Sequence, residues 1–308
     1  MVTGNHTTTP GFILLGYSNL TNLQSLLFVV FLVIYMVILL GNGVIVLVTV
    51  LDSALHTPMY FFLRNLSFVE ICYTSVTLPK MVANCLAEDG SISFTDCAAQ
   101  MYFLLLLGGT ECFLLAAMAY DRYMAICNPL HYTLIVNREH CARMVARSWL
   151  VNIPVHFGQT YFVFSLPICG SREINHFYCD IPPLLELSCM DTYRNKIAVF
   201  MAVLLFIITP FILIVISYIK LASTILKMPS AEGRHKAFST CSSHLTVVTL
   251  YYCAGMIVYL RPKSRNSEDT ENLLFLFYTI VTPMFSPFIH NLRNKEVKVA
   301  LRKLVDKK

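Results

Sequence analysis

Two acidic residues interrupt long apolar stretches of this sequence. Glu70 and Glu111 each stand among residues that are almost all hydrophobic. A carboxylate buried there must be neutral, paired or bound to a cation, because burying an unpaired charge is very costly. If the two stretches are neighbouring helices, the pair could share one sodium ion or one proton, and a separation of the helices would change that state. The alternative is two separately hydrogen-bonded, protonated acids.

A second charged group closes the apolar stretch that begins near Cys97. Asp121 and Arg122 are costly inside hydrocarbon and cheap at its edge, so they mark the place where a helix leaves the bilayer. As a helix, the segment from Cys97 to Arg122 is about 37 Å long, enough to cross a core of roughly 30 Å with a tilt. Gly108 and Gly109 leave space on it, either for a ligand or for a close helix neighbour. Helical spacing predicts one broad face of this helix, formed by Met101, Leu104, Leu105, Gly108, Glu111, Cys112, Leu115 and Met118.

The composition excludes an ordinary soluble protein. Of the 308 residues, 56% are hydrophobic and 13% are charged, whereas soluble domains carry about 25% charged residues. Apolar runs of about 20 residues recur along the chain, as in proteins that cross a membrane several times. We therefore predict an all-α membrane protein, a seven-transmembrane helix bundle with a short amphipathic eighth helix. The predicted spans are 24–51, 57–86, 96–127, 140–165, 195–226, 236–261 and 271–290.

The distribution of basic residues predicts the orientation. Residues 1–25 contain no Lys or Arg, whereas 293–308 are rich in both, so the amino terminus is expected outside and the carboxyl terminus in the cytoplasm. Opposite sides require an odd number of crossings, and seven satisfies this. The predicted outer loop around 261–265 departs from the bias, because it holds basic residues too. The net charge of +5 then reflects the inner face and anionic lipid, not nucleic acid.

This topology predicts three regions and an oxidised outer face. They are an extracellular tail over 1–23, the helix bundle over 24–290 and a cytoplasmic amphipathic helix and tail over 291–308. Asn5 is a glycosylation acceptor in the outer tail, while Asn19 fits the pattern close to the membrane. Four cysteines face the oxidising side and suggest two disulfides with three pairings, against the alternative of free or zinc-binding thiols. They are Cys97, Cys169, Cys179 and Cys189.

Several motifs together resemble one family. The segment 118–127, MAYDRYMAIC, resembles the inner end of the third helix of rhodopsin-like (class A) G-protein-coupled receptors, in the form found in their olfactory branch. Segments 55–63 (LHTPMYFFL), 236–245 (KAFSTCSSHL) and 283–295 (PMFSPFIHNLRNK) resemble that branch in the same order, as do Gly41-Asn42 and Ser217-Tyr218. The chain is thus similar to odorant receptors of the tetrapod type (class II) over nearly its whole length.

The resemblance implies roles for individual residues. It selects the disulfides Cys97–Cys179 and Cys169–Cys189. It makes Glu70 an acidic sodium ligand, with Glu111 as a further acid. A polar core is implied at Asn42, Glu70, Glu111 and Ser286, and a coupling and activation set at Asp121, Arg122, Tyr123, Tyr218, Lys236, His244 and His290.

The resemblance also implies a ligand, partners and a location. The ligand is a small, mostly apolar volatile odorant, and no cofactor is expected besides a bound sodium ion. The partners are a stimulatory, olfactory-type heterotrimeric G protein that raises cyclic AMP, the lipid bilayer and a trafficking chaperone. The location is the plasma membrane, in the cilia of olfactory neurons for a natural receptor. The implied ligand set is Met101, Leu104, Leu105, Gly108, Gly109, Cys112, Ala202, Val203, Phe206, Tyr252, Gly255, Met256, Tyr259, Leu276 and Thr279.

The chain departs from the family pattern at a few positions. Ser286 and His290 replace the usual polar pair of the seventh helix, which puts the bridge to Tyr218 in doubt. The tryptophan and proline of the wider superfamily's sixth helix are absent, so Tyr252 is expected to form the switch at the floor of the pocket.

Other function classes fit less well. A transporter or ion channel could use Glu70 and Glu111, but such proteins usually show internal repeats, and seven spans do not divide into halves. A non-olfactory receptor for a small lipid-like ligand is a second alternative. The sequence has none of the common hydrolase, metalloprotease or phosphate-loop motifs, so an enzyme is not expected.

Overall fold

The structure, a computed structural model, describes residues 11–16, 24–86, 90–260, 279–289 and 295–306. Within these ranges the side chains of 236, 240, 254–260, 295, 296 and 304–306 are not described. The helices, in chain order, are α1 Gln24–Leu51, α2 Pro58–Leu86, α3 Phe94–Cys127, α4 Pro129–Ile135, α5 Arg138–Phe164, α6 Ile181–Glu186, α7 Tyr193–Leu226, α8 Ala231–Leu260, α9 Thr279–Ile289 and α10 Lys295–Asp306. The strands are β1 Phe12–Leu14, β2 Ser91–Ile92 and β3 Glu173–Ile174.

The helices lie at the predicted spans, with ends that differ by a few residues. Of the helices in the described ranges, α1, α3 and α7 have both the length and the apolar composition to cross a membrane. α2, α5 and α8 are about as long but carry more polar side chains. The start of the seventh predicted span lies outside the described residues, so the count of seven crossings stays a prediction.

The side of the bundle that runs along the helices is apolar where it is exposed. Large aliphatic side chains of α1 and α7 are exposed, for example Leu40 at 63% and Ile219 at 62%. Water-soluble monomers rarely leave apolar patches of this extent uncovered. The exposed apolar surface is what a bilayer would cover, in agreement with a protein that crosses the membrane.

α3 is the central helix. In its most apolar stretch 72% of the residues are buried, against 22% in α1 and 17% in α7. It contacts α2, α5, α7 and α8. Burial therefore extends around α3, to Leu106, Leu107, Thr110 and Leu114, and is not confined to the single face that helical spacing predicted.

Two glycines on α3 allow close helix contacts. A Cβ on Gly109 would lie 2.9 Å from Nε2 of His156 on α5, and closer still to Oδ1 of Asn152. A Cβ on Gly108 would meet only the hydroxyl of Tyr251 on α8, at 3.8 Å. The sequence left two roles open for the glycine pair, space for a ligand or for a close helix neighbour. Gly109 has the second role, because α5 packs directly against it.

α7 contains a π-helical turn at Leu204–Ile208. Pro210 follows it and has no N–H to donate to the carbonyl of Phe206, so regular α-helical pairing is broken there. The hydroxyl of Thr209 donates to the carbonyl of Leu204 at 2.9 Å. The wider turn carries the buried Phe206 against Phe113 of α3, with ring centroids 5.9 Å apart.

A small sheet that the sequence did not predict covers the end of the bundle at which α3 begins, the end predicted to face outward. β1 pairs antiparallel with β2 and parallel with β3. β1 belongs to the amino-terminal tail, β2 precedes α3, and β3 belongs to the loop between α5 and α7. The tail thus joins the two outer loops into one layer.

The contact at Gly109 predicts a difference between two neighbouring substitutions. Gly109→Ala should destabilise the protein by about 1–3 kcal/mol, because the new methyl group overlaps Asn152 and His156. Gly108→Ala serves as the matched control, since its methyl group would make an ordinary contact. Melting of the two purified variants checks this, and equal melting temperatures would contradict the packing role of Gly109.

Candidate functional site

Two predicted ligand residues of α3, Gly108 and Cys112, face α8. Cys112 Sγ lies 3.4 Å from the Tyr251 hydroxyl, which donates to the Gly108 carbonyl at 2.9 Å. Next to it, Tyr252 is 2% exposed, and its ring centroid lies 5.0 Å from that of Phe211. The structure therefore brings Gly108, Cys112 and Tyr252 together in the middle of the bundle.

The other predicted ligand residues are placed as follows. Leu104 is buried in the main core, while Met101 is buried in the outer cluster around the Cys97 disulfide, with Leu105 packed against that cluster. Ala202 and Val203 are half-buried on α7. Leu276 and the side chains of Gly255, Met256 and Tyr259 lie outside the described residues.

Sequence reasoning missed a polar cluster on α5. His156 Nδ1 lies 2.8 Å from Gln159 Oε1, and its Nε2 lies 3.0 Å from Asn152 Oδ1. The imidazole also packs on Phe206, with ring centroids 4.6 Å apart. The available signal was spacing, since polar residues three and four positions apart share one helix face and are unusual inside an apolar span.

The outer loop is fixed over this region. The structure joins Cys97 to Cys179 and Cys169 to Cys189, the pairing that the resemblance implied, with Cα atoms 5.5 Å apart in each pair. Oε1 of Gln100 accepts a hydrogen bond from the Cys179 N–H at 3.0 Å. The loop therefore stays attached to the outer end of α3.

A tyrosine of the same loop contacts a predicted ligand residue. The hydroxyl oxygens of Tyr178 and Thr279 lie 3.0 Å apart, and both residues are buried. Thr279 lies on α9, so Tyr178 connects the loop to that helix. The loop thus forms the roof of the predicted ligand region.

Two buried titratable groups lie in this loop. Burial lowers the pKa of His176 to about 4, although a hydrogen bond with the Tyr178 carbonyl opposes the shift. Burial raises the pKa of Asp180 to about 6. The hydrogen bond that its carboxylate accepts from the Ile181 N–H at 2.7 Å opposes this shift. At neutral pH the imidazole of His176 is therefore uncharged.

The two core acids are neighbours, as the sequence suggested. Glu70 is 0% exposed and Glu111 is 2% exposed. The carboxyl group of Glu70 is close enough to three side chains for them to affect its charge, namely Glu111, Ser286 and Asn42. Asn42 also donates to the Pro283 carbonyl at 3.3 Å, which ties α1 to α9. The predicted polar core thus forms one cluster between α1, α2, α3 and α9.

The chemistry of this cluster fits a cation. Both carboxylate oxygens of Glu70, Oε1 of Glu111 and Oδ1 of Asn42 are buried, and none has a hydrogen bond of normal geometry within the described part of the chain. Oxygen atoms of this kind are the donors that hard cations prefer. The described residues hold no group of three or more His, Cys, Asp or Glu side chains suited to a metal. The Asn42 amide and the Ser286 hydroxyl would have to complete a coordination shell.

The predicted coupling residues meet at the inner end. Asp121 and Arg122 are buried, and Asp121 accepts a hydrogen bond from the Tyr132 hydroxyl of α4 at 2.9 Å. The Tyr218 hydroxyl on α7 lies 2.7 Å from His244 Nδ1 on α8, and Arg122 lies within electrostatic reach of Tyr218. α3, α7 and α8 are therefore connected by this cluster.

The remaining coupling residues are less central. Tyr123 is half-buried, with Lys220 Nζ 5.8 Å from its ring centroid. His290 and the side chain of Lys236 lie outside the described residues, as does Asn5, the predicted glycosylation site.

Comparisons with known proteins identify the family. The sequence profile described as olfactory receptor matches residues 31–308. Human olfactory receptor 10A5 is 53% identical over 308 residues, covering 100% of this chain and 97% of the relative, and human olfactory receptor 10AG1 is 51% identical, covering 96% and 98%. In fold, the crystal structure of squid rhodopsin superposes with a TM-score of 0.73 at 14% identity, covering 92% of this chain and 85% of that one.

These findings confirm the resemblance and the rhodopsin-like fold class, and they identify a receptor, not an enzyme. They also support a multi-pass protein of the plasma membrane. The disulfide-linked outer loop, the buried polar core and the Arg122 cluster are thus parts of a receptor bundle. The chain belongs to the olfactory receptor family.

Proposed function

We propose that this receptor binds small, mostly apolar volatile molecules between α3, α7 and α8, beneath the loop that carries Cys179. The observation that carries this proposal is the group formed by Gly108, Cys112 and Tyr252, with the π-helical turn of α7 beside it. Sites for small organic ligands are typically apolar with a few hydroxyl groups for orientation. The acid of α3 nearest this group, Glu111, is buried beside Glu70 of α2, which argues against an amine ligand anchored there.

The signal then passes to a stimulatory, olfactory-type heterotrimeric G protein and raises cyclic AMP. The ligand must favour one of two helix arrangements by binding it more tightly. The contact between Tyr218 and His244 holds α8 near α7 at the inner end. An outward movement of α8 would break this contact and open a cleft beside Arg122 for a helix of the G protein.

We propose the orientation and division of the chain that the charges predict. The tail over 1–23 is extracellular with Asn5 glycosylated, the bundle spans 24–290, and 291–308 is cytoplasmic. α10 supports this division, because it buries Val297 and Ala300 while Lys298 and Arg302 are exposed. Ciliary location and a trafficking chaperone belong to the same proposal.

A sodium ion between Glu70 and Glu111 is proposed as a stabiliser of one helix arrangement. Its support is the set of buried oxygen atoms described above. Replacement of sodium by a large organic cation would then lower the melting temperature, and Glu111→Gln would remove this difference. A shared proton in place of the ion would leave melting independent of sodium.

Tyr252 provides a test of the ligand site. Tyr252→Phe should reduce the potency of agonists that carry a hydrogen-bonding group about tenfold, because one hydrogen bond is lost. Hydrocarbons of the same shape should be unaffected. Concentration–response curves for cyclic AMP check this. Tyr161→Phe, on a side chain that is 65% exposed on α5, is the matched control. If Tyr252→Phe reduced the potency of hydrogen-bonding agonists and of hydrocarbons equally, the role of the Tyr252 hydroxyl in orienting the ligand would be contradicted.

Arg122 provides a test of coupling. Arg122→Ala should abolish the odorant-dependent rise in cyclic AMP, because the cleft loses its buried cation, while the amount of receptor at the cell surface is unchanged. Arg147→Ala removes an exposed charge on α5 and should leave the response intact. A normal response from Arg122→Ala at equal surface amounts would disprove its role.

A further inference from the structure

A cavity of about 460 Å³ lies at the predicted inner end of the bundle, where its lining residue Cys141 comes near Asp121. Its wall is formed by the end of α1, the 3-10 turn Ser53–Leu55, the start of α2 and the start of α5. The residues that give the cavity its character are His56, Thr57, Phe61, Arg64 and Arg138. No function assigned above uses this space.

The electrostatic character of the cavity is positive. Arg64 and Arg138 both line it, and no acidic residue is among its lining residues. α2 begins at Pro58 and α5 begins at Arg138, so two helix amino termini with their positive partial charges border the same space. Such an arrangement attracts an anion.

The acids closest along the chain are already engaged elsewhere. Asp52 accepts the Ala54 N–H at 3.0 Å with Oδ1, and its Oδ2 lies 3.6 Å from Lys303 Nζ on α10. Glu139 is paired with Arg143, on the exposed side of α5. Neither acid lines the cavity. A third acid, Asp121, lies within electrostatic reach of the lining residue Cys141, but it accepts the Tyr132 hydroxyl and is offset by Arg122.

The two arginines have no counter-ion in the described part of the chain. The Arg64 guanidinium lies over the Phe61 ring, 5.3 Å from the ring centroid, and neither it nor Arg138 is in an ion pair with a residue of the described ranges. Arg138 stands in the first turn of α5, where a cation opposes the helix dipole. A bound anion would offset this unfavourable position.

The cavity also has an apolar side next to the bilayer. Val50, at the end of α1, lines it and is 48% exposed, and the adjacent Leu51 is 57% exposed. The buried Leu55 and Val136 close the inner wall. An anion with attached acyl chains matches this combination better than a free anion, because the chains would cover the exposed aliphatic side chains.

We propose that this cavity binds the phosphate headgroup of an anionic phospholipid of the cytoplasmic leaflet, held between Arg64 of α2 and Arg138 of α5. The guanidinium fork matches the oxygens of a phosphate group. The bound headgroup joins α2 to α5, and the acyl chains lie along α1. The cytoplasmic position rests on the orientation proposed above, whereas binding itself requires neither an odorant nor a G protein.

The test uses the full-length receptor in nanodiscs of phosphatidylcholine alone, with added phosphatidylserine, or with added cholesterol. Native mass spectrometry counts the lipid that stays bound, and melting reports stabilisation. Phosphatidylserine should be retained and should raise the melting temperature. Arg64→Gln and Arg138→Gln should each reduce retention about tenfold, the effect of one lost charge-assisted hydrogen bond.

Arg147→Gln is the matched control, because it removes the same charge from an exposed position of the same helix outside the cavity. It should retain the lipid much better than Arg138→Gln. Arg138 is exposed, so Arg138→Glu serves as a second variant that is compatible with the fold, and it should abolish retention.

Three results would overturn the proposal. Equal losses from Arg147→Gln and Arg138→Gln would mean diffuse attraction to a charged surface. Retention of cholesterol in place of phosphatidylserine would mean a sterol site. Stabilisation by inorganic phosphate in phosphatidylcholine discs, to the same extent as by phosphatidylserine, would mean a free anion. Because none of these readouts involves signalling, a failure here is distinct from a failure of odorant-driven coupling.

Discussion

A polar side chain inside a membrane bundle must find its partner within the protein or in a bound ion, because hydrocarbon provides none. This constraint organises the receptor. Asn42 ties α1 to the Pro283 carbonyl of α9 at 3.3 Å, and Tyr251 ties α8 to the Gly108 carbonyl of α3 at 2.9 Å. Each contact fixes the position of one helix against another, with α3 at the centre. The apolar residues between them fill space, but the polar pairs determine which helices are neighbours.

The same contacts suggest how a signal crosses the bilayer. The middle of α3 carries the proposed ligand group around Gly108 and Cys112, with Glu111 between them, and its inner end holds Arg122. α8 meets α3 near the ligand face through Tyr251 and reaches the inner cluster through His244. A ligand that displaces α8 at the contact between Tyr251 and Gly108 would therefore also shift the contact between His244 and Tyr218. The outer loop stays attached to α3 through Cys179 and Gln100 throughout.

Much of this arrangement could be predicted from the sequence. Hydropathy places the helices within a few residues, since about 20 apolar residues are needed to cross a bilayer. The family motifs bring Tyr218, His244 and Arg122 to one end, where the structure also has them. The cost of burying an isolated acid suggested that Glu70 and Glu111 are neighbours, as they are in the structure, but it left open whether they share an ion or a proton.

Other features depend on three-dimensional contacts that periodicity does not contain. Gly109 looked equally suited to a ligand or to close packing, and only the position of Asn152 distinguishes them. The three-stranded sheet joins segments far apart in the chain by backbone hydrogen bonds, which leave no pattern in two- or three-residue strands. The cavity at Arg64 and Arg138 likewise arises where a loop and two helix starts converge.

Ligand binding is proposed to move the inner end of α8 away from the rest of the bundle. Spin labels on Arg147→Cys of α5 and Phe238→Cys of α8, both exposed positions, report this separation once the exposed Cys253 is replaced by Ala. An agonist odorant should lengthen the measured distance by several ångströms in the purified receptor. A distance distribution that stays the same at saturating agonist, in a variant that still raises cyclic AMP, would contradict the account.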